Sequence, residues 1–240
     1  MLRVRARSYL DIHGGIPGIS VLREACGRIR RASRPVPSAF RAQGDRLVAA
    51  QTVTERNPQD QYMTPAWAVE LALDHIPLLD TGRPFLEPCA GTGAFVSAVR
   101  NRYPNRGVTA VDIDARFIPG LKQWTPVVHA ADFRGWARAY RRIFTDPQVG
   151  PDVIITNPPF STAVEIMDAA FLVARPDTQI VMFLRSAFME SQERHDWWKA
   201  HEPDGMYTLS RRPKFRETGG DRWAYAYFVW RGLEKRITVL

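Results

Sequence analysis

The residues with the clearest capacity for chemistry stand together at Asn157-Pro158-Pro159-Phe160. They follow a continuous β-branched run that predicts a short buried strand over residues 152–156. Two successive prolines fix φ and remove two backbone donors, so neither strand nor helix continues through them. What remains is a side-chain amide, a carbonyl with no neighbouring N–H to compete for it, and an aromatic face. Such a corner can hold a planar group that bears an NH2. Asn157 and the Pro158 carbonyl would accept its two hydrogens while Phe160 stacks on its ring. The same residues also suit an ordinary turn after a strand.

Three carboxylates upstream carry a second kind of chemistry. Phe85-Leu86-Glu87 predicts a short apolar strand ending in an acid, followed by Pro88-Cys89-Ala90-Gly91-Thr92-Gly93 and a helix over residues 94–102. Glycines let a backbone approach a ligand closely, and a helix start offers free N–H groups. Val96 stands where a dinucleotide fingerprint has its third glycine. An acid at the strand end repels a pyrophosphate but suits a cationic amino group, so the loop favours an amino-acid-bearing nucleoside over NAD. A second strand, over residues 108–111, runs into Asp112-Ile113-Asp114. Asp112 lies 19 residues after Gly93, about the offset at which an acid meets ribose hydroxyls in a βαβ nucleotide fold. Asp114 suits a solvated position or a cap. A third strand, over residues 127–130, leads to Asp132-Phe133, where Asp132 can accept from an adenine amino group between Ile113 and Phe133 as apolar walls. Core packing does not explain three strands that each end in a carboxylate, whereas ligands of open α/β sheets gather at strand carboxyl ends.

Composition bounds the alternatives. The chain has 240 residues, 45% of them hydrophobic, enough for one sizeable α/β domain with an appendage. No apolar run approaches a membrane span. Cys26 and Cys89 form no disulfide framework, and the five histidines no ligand spacing, so no structural metal and a reducing, cytoplasmic setting are expected. The net charge of +8 sits at the ends: residues 1–50 carry +7, with ten Arg and no Lys, and residues 205–240 carry +5. A slightly acidic middle between two basic ends points to a polyanionic partner, although charged ends also serve solubility.

The motifs FLEPCAGTGAF, AVDID, ADF and DVIITNPPF occur in that order. Together they resemble the class I S-adenosylmethionine-dependent amino-methyltransferases, in particular small orphan, phage-like N6-adenine DNA methyltransferases. The likeness covers about residues 59–232. It implies a Rossmann-like α/β domain with a mostly parallel seven-stranded sheet, an antiparallel C-terminal hairpin strand and helices on both faces. It also implies S-adenosylmethionine as cofactor, with Thr64 at its methionine carboxylate, Glu87 near its amino group, Gly91 and Gly93 lining the loop, Asp112 on the ribose and Asp132 on the adenine. Asn157, Pro158, Pro159 and Phe160 would hold the target adenine of DNA. Relatives with the same corner methylate an exocyclic amine of RNA or a glutamine amide of a protein, and a non-catalytic nucleic-acid-binding module is the reading from another class. Members with fixed recognition sites carry a large target-recognition region, for which this chain has no room.

The remaining segments must position these residues. Residues 1–56 are expected to be a basic, weakly ordered arm with a short helix over 20–32, and residues 57–240 the methyltransferase domain. The arm's Arg-rich composition is also that of an organellar transit segment. Thr64 is expected to cap a helix that starts at Pro65, with Trp67, Leu71 and His75 on its buried face. Residues 163–174 predict an amphipathic helix and 179–184 a buried strand. Residues 206–210 and 224–230 predict a hairpin around a basic loop with Arg211, Arg212, Lys214, Phe215 and Arg216. Trp223, Tyr225 and Tyr227 are expected to alternate on one face of the last strand. In the resembled family that loop lies over the target base, which makes Phe215 a second stacking face; a hydrophobic plug is the other reading.

Overall fold

A computed structural model describes residues 63–215, 222–231 and 236–240. The expected basic arm and Arg216 lie outside the described residues. The described residues begin with α1 (Ala66–His75), β1 (Phe85–Glu87), α2 (Ala94–Arg102) and β2 (Val108–Asp112). After these come α3 (Ile118–Leu121), β3 (Val127–Ala130), α4 (Phe133–Ile143), β4 (Val153–Thr156), α5 (Ala163–Val173) and β5 (Gln179–Arg185). The last elements are α6 (His195–Ala200), β6 (Gly205–Thr208), β7 (Tyr225–Trp230) and β8 (Arg236–Val239). No helix among the described residues is long and apolar enough to cross a membrane.

Among the described residues eight strands form one sheet in the order β3-β2-β1-β4-β5-β7-β6-β8. β7 runs antiparallel to both of its neighbours, β5 and β6, while every other pairing is parallel. The chain steps outward from β1 to β2 and β3, then returns to place β4 on the other side of β1. This reversal of strand order opens a crevice at the carboxyl ends of β1 and β4.

Strand periodicity builds the two layers around the sheet. Phe85, Val153, Ile155, Val181, Phe183, Tyr225 and Tyr227 face the core shared with α1 and α2. Their neighbours in sequence, Leu86, Ile154, Ile180, Met182, Leu184, Ala226 and Phe228, face the core shared with α4, α5 and α6. Side chains that alternate between two buried faces produce the continuous apolar runs by which β4 and β5 are recognised in the sequence. The buried hydroxyl of Tyr227 donates to the Ala68 carbonyl at 2.8 Å, tying β7 to α1.

Four expectations need correction. The sheet has eight strands rather than seven. β8 is short, polar at its start and exposed at Ile237 and Val239, so it lacks the apolar signal that marks the others. Pro65, not Thr64, occupies the cap of α1, whose start has no side-chain cap. The buried stripe of α1 is Ala68, Val69, Ala72 and Leu73; Trp67 and Leu71 are half-buried and His75 is exposed. Trp223 precedes β7 and is 48% exposed, so it does not continue the buried face of Tyr225 and Tyr227.

The amino ends of the strands are clamped by Asp152. Its buried carboxylate accepts from the Thr81 N–H at 2.7 Å, the Thr81 hydroxyl at 2.6 Å, the Arg83 N–H at 3.0 Å and the Arg175 guanidinium at 2.8 Å. Arg175 is itself buried. Close by, the Gln179 amide accepts from Leu79 N–H and donates to the Pro77 carbonyl. Removing one partner of a buried pair strands the other charge. Asp152→Ala is therefore expected to lower the free energy of unfolding by roughly 3–5 kcal/mol in urea titration.

Candidate active site

A cleft of about 900 Å³, its open mouth included, lies at the strand-order reversal. That is room for a nucleoside-sized ligand. Met63, Thr64, Glu87, Gly91, Asp112, Ile113, Asp132, Phe133, Arg134, Asn157, Pro158 and Pro159 all line it. The structure thus brings together most of the residues singled out in the sequence, although they come from four strand ends and the segment before α1.

The loop between β1 and α2 is shaped by two left-handed glycines, Gly91 at φ +50° and Gly93 at φ +88°. The positive φ favours glycine at position 93, where a Cβ would also press on a Leu121 methyl at 3.0 Å. Gly93 occupies the cap of α2 but has no side chain to satisfy the helix. Glu87 does this from the end of β1, accepting the Val96 N–H at 3.0 Å. Glu87 is 3% exposed. Burial pushes its carboxyl well above the usual range, the Val96 N–H offsets part of that, and the nearby Asp112 raises it further.

Asp112 stitches this loop to the next one. Its oxygens accept the Gly91 N–H at 2.6 Å and the Asp114 N–H at 2.8 Å. Burial raises its pKa and these two donors lower it. Each oxygen retains lone-pair capacity for a ligand hydroxyl. Asp114 caps the short 3-10 turn at Ala115–Phe117, one of the two roles expected for it. Ile113 is 70% exposed on the cleft rim, whereas Phe133 is buried beneath it.

Asp132 caps α4 through the Arg134 N–H at 2.9 Å and also receives the Arg134 side chain on both oxygens. That fork holds its carboxyl below the usual range. Arg134 therefore bonds both oxygens of Asp132 at the cleft wall, a feature the sequence reading missed. Burial and the Asp112 and Glu87 carboxylates push the Cys89 thiol up, away from the thiolate.

The corner after β4 reaches the cleft through Asn157, Pro158 and Pro159. The Asn157 amide nitrogen donates to the Thr64 hydroxyl at 3.0 Å, which ties the corner to the segment before α1. Phe160 opens a 3-10 turn and lies outside the cleft lining. Its ring instead sits 4.4 Å from the Arg185 guanidinium and 5.9 Å from the Tyr225 ring. Phe215 contacts the other part of this cluster, 5.0 Å from Tyr225, and is half-buried against the core. Arg211 lies over the Trp67 ring at 4.9 Å, while Arg212 and Lys214 are exposed. Arg185 was also missed, although it ends β5 as Glu87 ends β1, and the same rule about strand ends would have found it.

The raised Glu87 pKa has a definite consequence for stability. An acid that binds its proton more tightly in the folded state destabilises the fold as pH rises from its unfolded pKa, about 4.3, towards its folded value. Glu87→Gln keeps an acceptor for Val96 and removes the charge. Thermal melting of the ligand-free protein should show the variant more stable than wild type at pH 7–8, with the difference closing as pH falls towards 4.

No protein-family model and no curated protein sequence matches the chain. Solved structures do. A Listeria monocytogenes protein assigned to the class I S-adenosylmethionine-dependent methyltransferases superposes with TM-score 0.50 at 13% identity, over 74% of this chain and 65% of its own. The M protein of the type I restriction enzyme EcoKI superposes with TM-score 0.51 at 11% identity, over 72% of this chain and 44% of its own. The chain thus spans less than two thirds of either protein. What it shares with them is the Rossmann-like methyltransferase fold.

Proposed function

We propose that the protein transfers a methyl group from S-adenosylmethionine to the exocyclic N6 amine of adenine in DNA. The observation that carries this reading is the convergence of Asn157, Pro158, Glu87 and Asp112 on one cleft. The donor set fits that cofactor. A buried carboxylate that resists ionisation, as Glu87 does, is matched by a ligand ammonium. Asp112 has capacity for two ribose hydroxyls, and Ile113 with Phe133 offers an apolar slot for a flat ring. Thr64 accepts from Asn157 and so keeps its own proton to donate to the carboxylate of the amino-acid tail. When bound, the cofactor supplies a methyl group on a sulfonium, which leaves as a neutral thioether.

The chain's own residues solve the difficulty of the amine. Its lone pair is delocalised into the ring and is a poor nucleophile. Asn157 Oδ1 and the Pro158 carbonyl accept its two N–H bonds, returning electron density to nitrogen and stabilising the positive charge that grows there. Proline rigidity and the Thr64 bond hold these acceptors in place before the reaction, so alignment contributes as well. No general base has to act during transfer; the amine's extra proton passes to water afterwards. In a duplex the adenine must leave the stack, at a cost of a few kcal/mol. Exposed Arg212 and Lys214, together with the basic ends of the sequence, support a polyanion as substrate. The shared fold with a restriction-enzyme M protein supports DNA in particular.

Nucleoside mass analysis after incubation of DNA with the protein and cofactor should show N6-methyladenine. A protein that binds cofactor yet leaves DNA unmodified overturns the reading, and label found instead in RNA or in a glutamine amide moves it to that substrate. Asn157→Ala should reduce turnover at least about 100-fold, with cofactor affinity by calorimetry nearly unchanged. Glu87→Gln should do the opposite, weakening cofactor binding first.

A further inference from the structure

Arg185 is the last residue of β5 and lies on the same sheet edge as the cleft. Its guanidinium is held between two rings, 4.4 Å from the centre of Phe160 and 5.3 Å from that of Trp223. Its Nε donates to the Tyr225 hydroxyl at 3.3 Å. The side chain is half-buried, and no carboxylate among the described residues pairs with it. Arg102, Arg106, Arg116, Arg134 and Arg175 each have an aspartate partner. Arg185 is therefore a cation that has given up part of its water for aromatic faces without gaining a counter-charge.

Two rings and a hydroxyl fix the plane of this guanidinium, and its terminal nitrogens make no hydrogen bond among the described residues. A planar fork pinned at Nε presents its remaining N–H groups for bidentate capture of an oxyanion. Its position is specific too, because Phe160 is three residues beyond Asn157 and in direct contact with Arg185. An anion bound here would lie next to the corner that carries Asn157. A glutamine amide would bring no charge to this place, but a nucleotide would.

Resting on the function proposed above, we propose that Arg185 is a phosphate subsite. It binds the DNA phosphodiester next to the adenine being methylated, with Phe160 and Trp223 as the frame that aims it. Phe160, outside the cleft lining, thereby has a role of its own: it presents the cation that holds the backbone of the target nucleotide.

The test uses the full chain and short adenine-containing oligodeoxynucleotides. In these, single phosphodiesters on either side of the methylated adenine are replaced by neutral methylphosphonates. In wild type, one replacement should raise KM about tenfold, the loss expected for one charge-assisted hydrogen-bonded contact. Arg185→Gln should raise KM on the unmodified oligonucleotide by a similar factor and make that same replacement silent. The slope of log affinity against log salt should become shallower by about one, with cofactor affinity unchanged. Arg185→Lys retains a charge and should keep the salt slope, which preserves the test if the glutamine variant folds poorly. The proposal is overturned if every replacement retains its full effect in Arg185→Gln, or if the variant loses kcat with KM and salt slope unaltered. It is also overturned if Arg185→Gln alters sequence preference alone, which would make the contact one to a base edge. A wild-type protein that methylates none of the oligonucleotides would instead overturn the adenine reading itself, before any variant is compared.

Discussion

The molecule depends on a topological constraint. A parallel sheet whose chain steps outward from β1 and then returns to β4 sends its crossovers to opposite faces. The carboxyl ends of those two strands open into the cleft. Five groups with chemical capacity are placed by this fact. Glu87 ends β1, Asp112 ends β2, Asp132 follows β3, Asn157 follows β4 and Arg185 ends β5. Residues far apart in sequence become neighbours because parallel strands in register end along a common line.

The cleft is electrostatically costly when empty, and backbone geometry makes it tolerable. Glu87 and Asp112 are nearly buried, and both find backbone N–H donors made available by the left-handed Gly91 and Gly93 and by the turn at Asp114. These bonds offset desolvation only in part, since both carboxyls remain raised. Stability is recovered at the other end of the strands. There Asp152 accepts four hydrogen bonds and faces a buried arginine. One acid has its charge fully answered, while the others hold theirs in reserve for a ligand.

Much of this was legible from residue types. The prolines after β4, the acids at strand ends and the glycines before α2 each impose a local constraint that survives without knowledge of tertiary contacts. The alternation of two buried faces gave β4 and β5 their apolar runs, and the start of α2 at Ala94 follows from the loop before it. Other features depend on partners distant in sequence. Nothing local says that Thr64 leaves the cap of α1 to Pro65 and turns to Asn157, 93 residues away. Nor does the sequence around Phe160 reveal that its ring faces Arg185, because that contact depends on the register of β4 with β5. The Arg134 fork on Asp132 is local, two residues apart, yet the rotamer that forms it is set by the start of α4. β8 escaped notice because an edge strand exposed on its outer side carries no core pattern.

The Asp152 clamp has a consequence for how such a protein can change. The rigid anchorage grips one rim of the sheet, while the cleft residues stand at the opposite rim. Side chains at the strand tips can be exchanged, singly or in groups, without loosening that anchorage. The same platform can therefore drift from one acceptor to another over evolutionary time, its durability and its selectivity being written at different ends of the same strands.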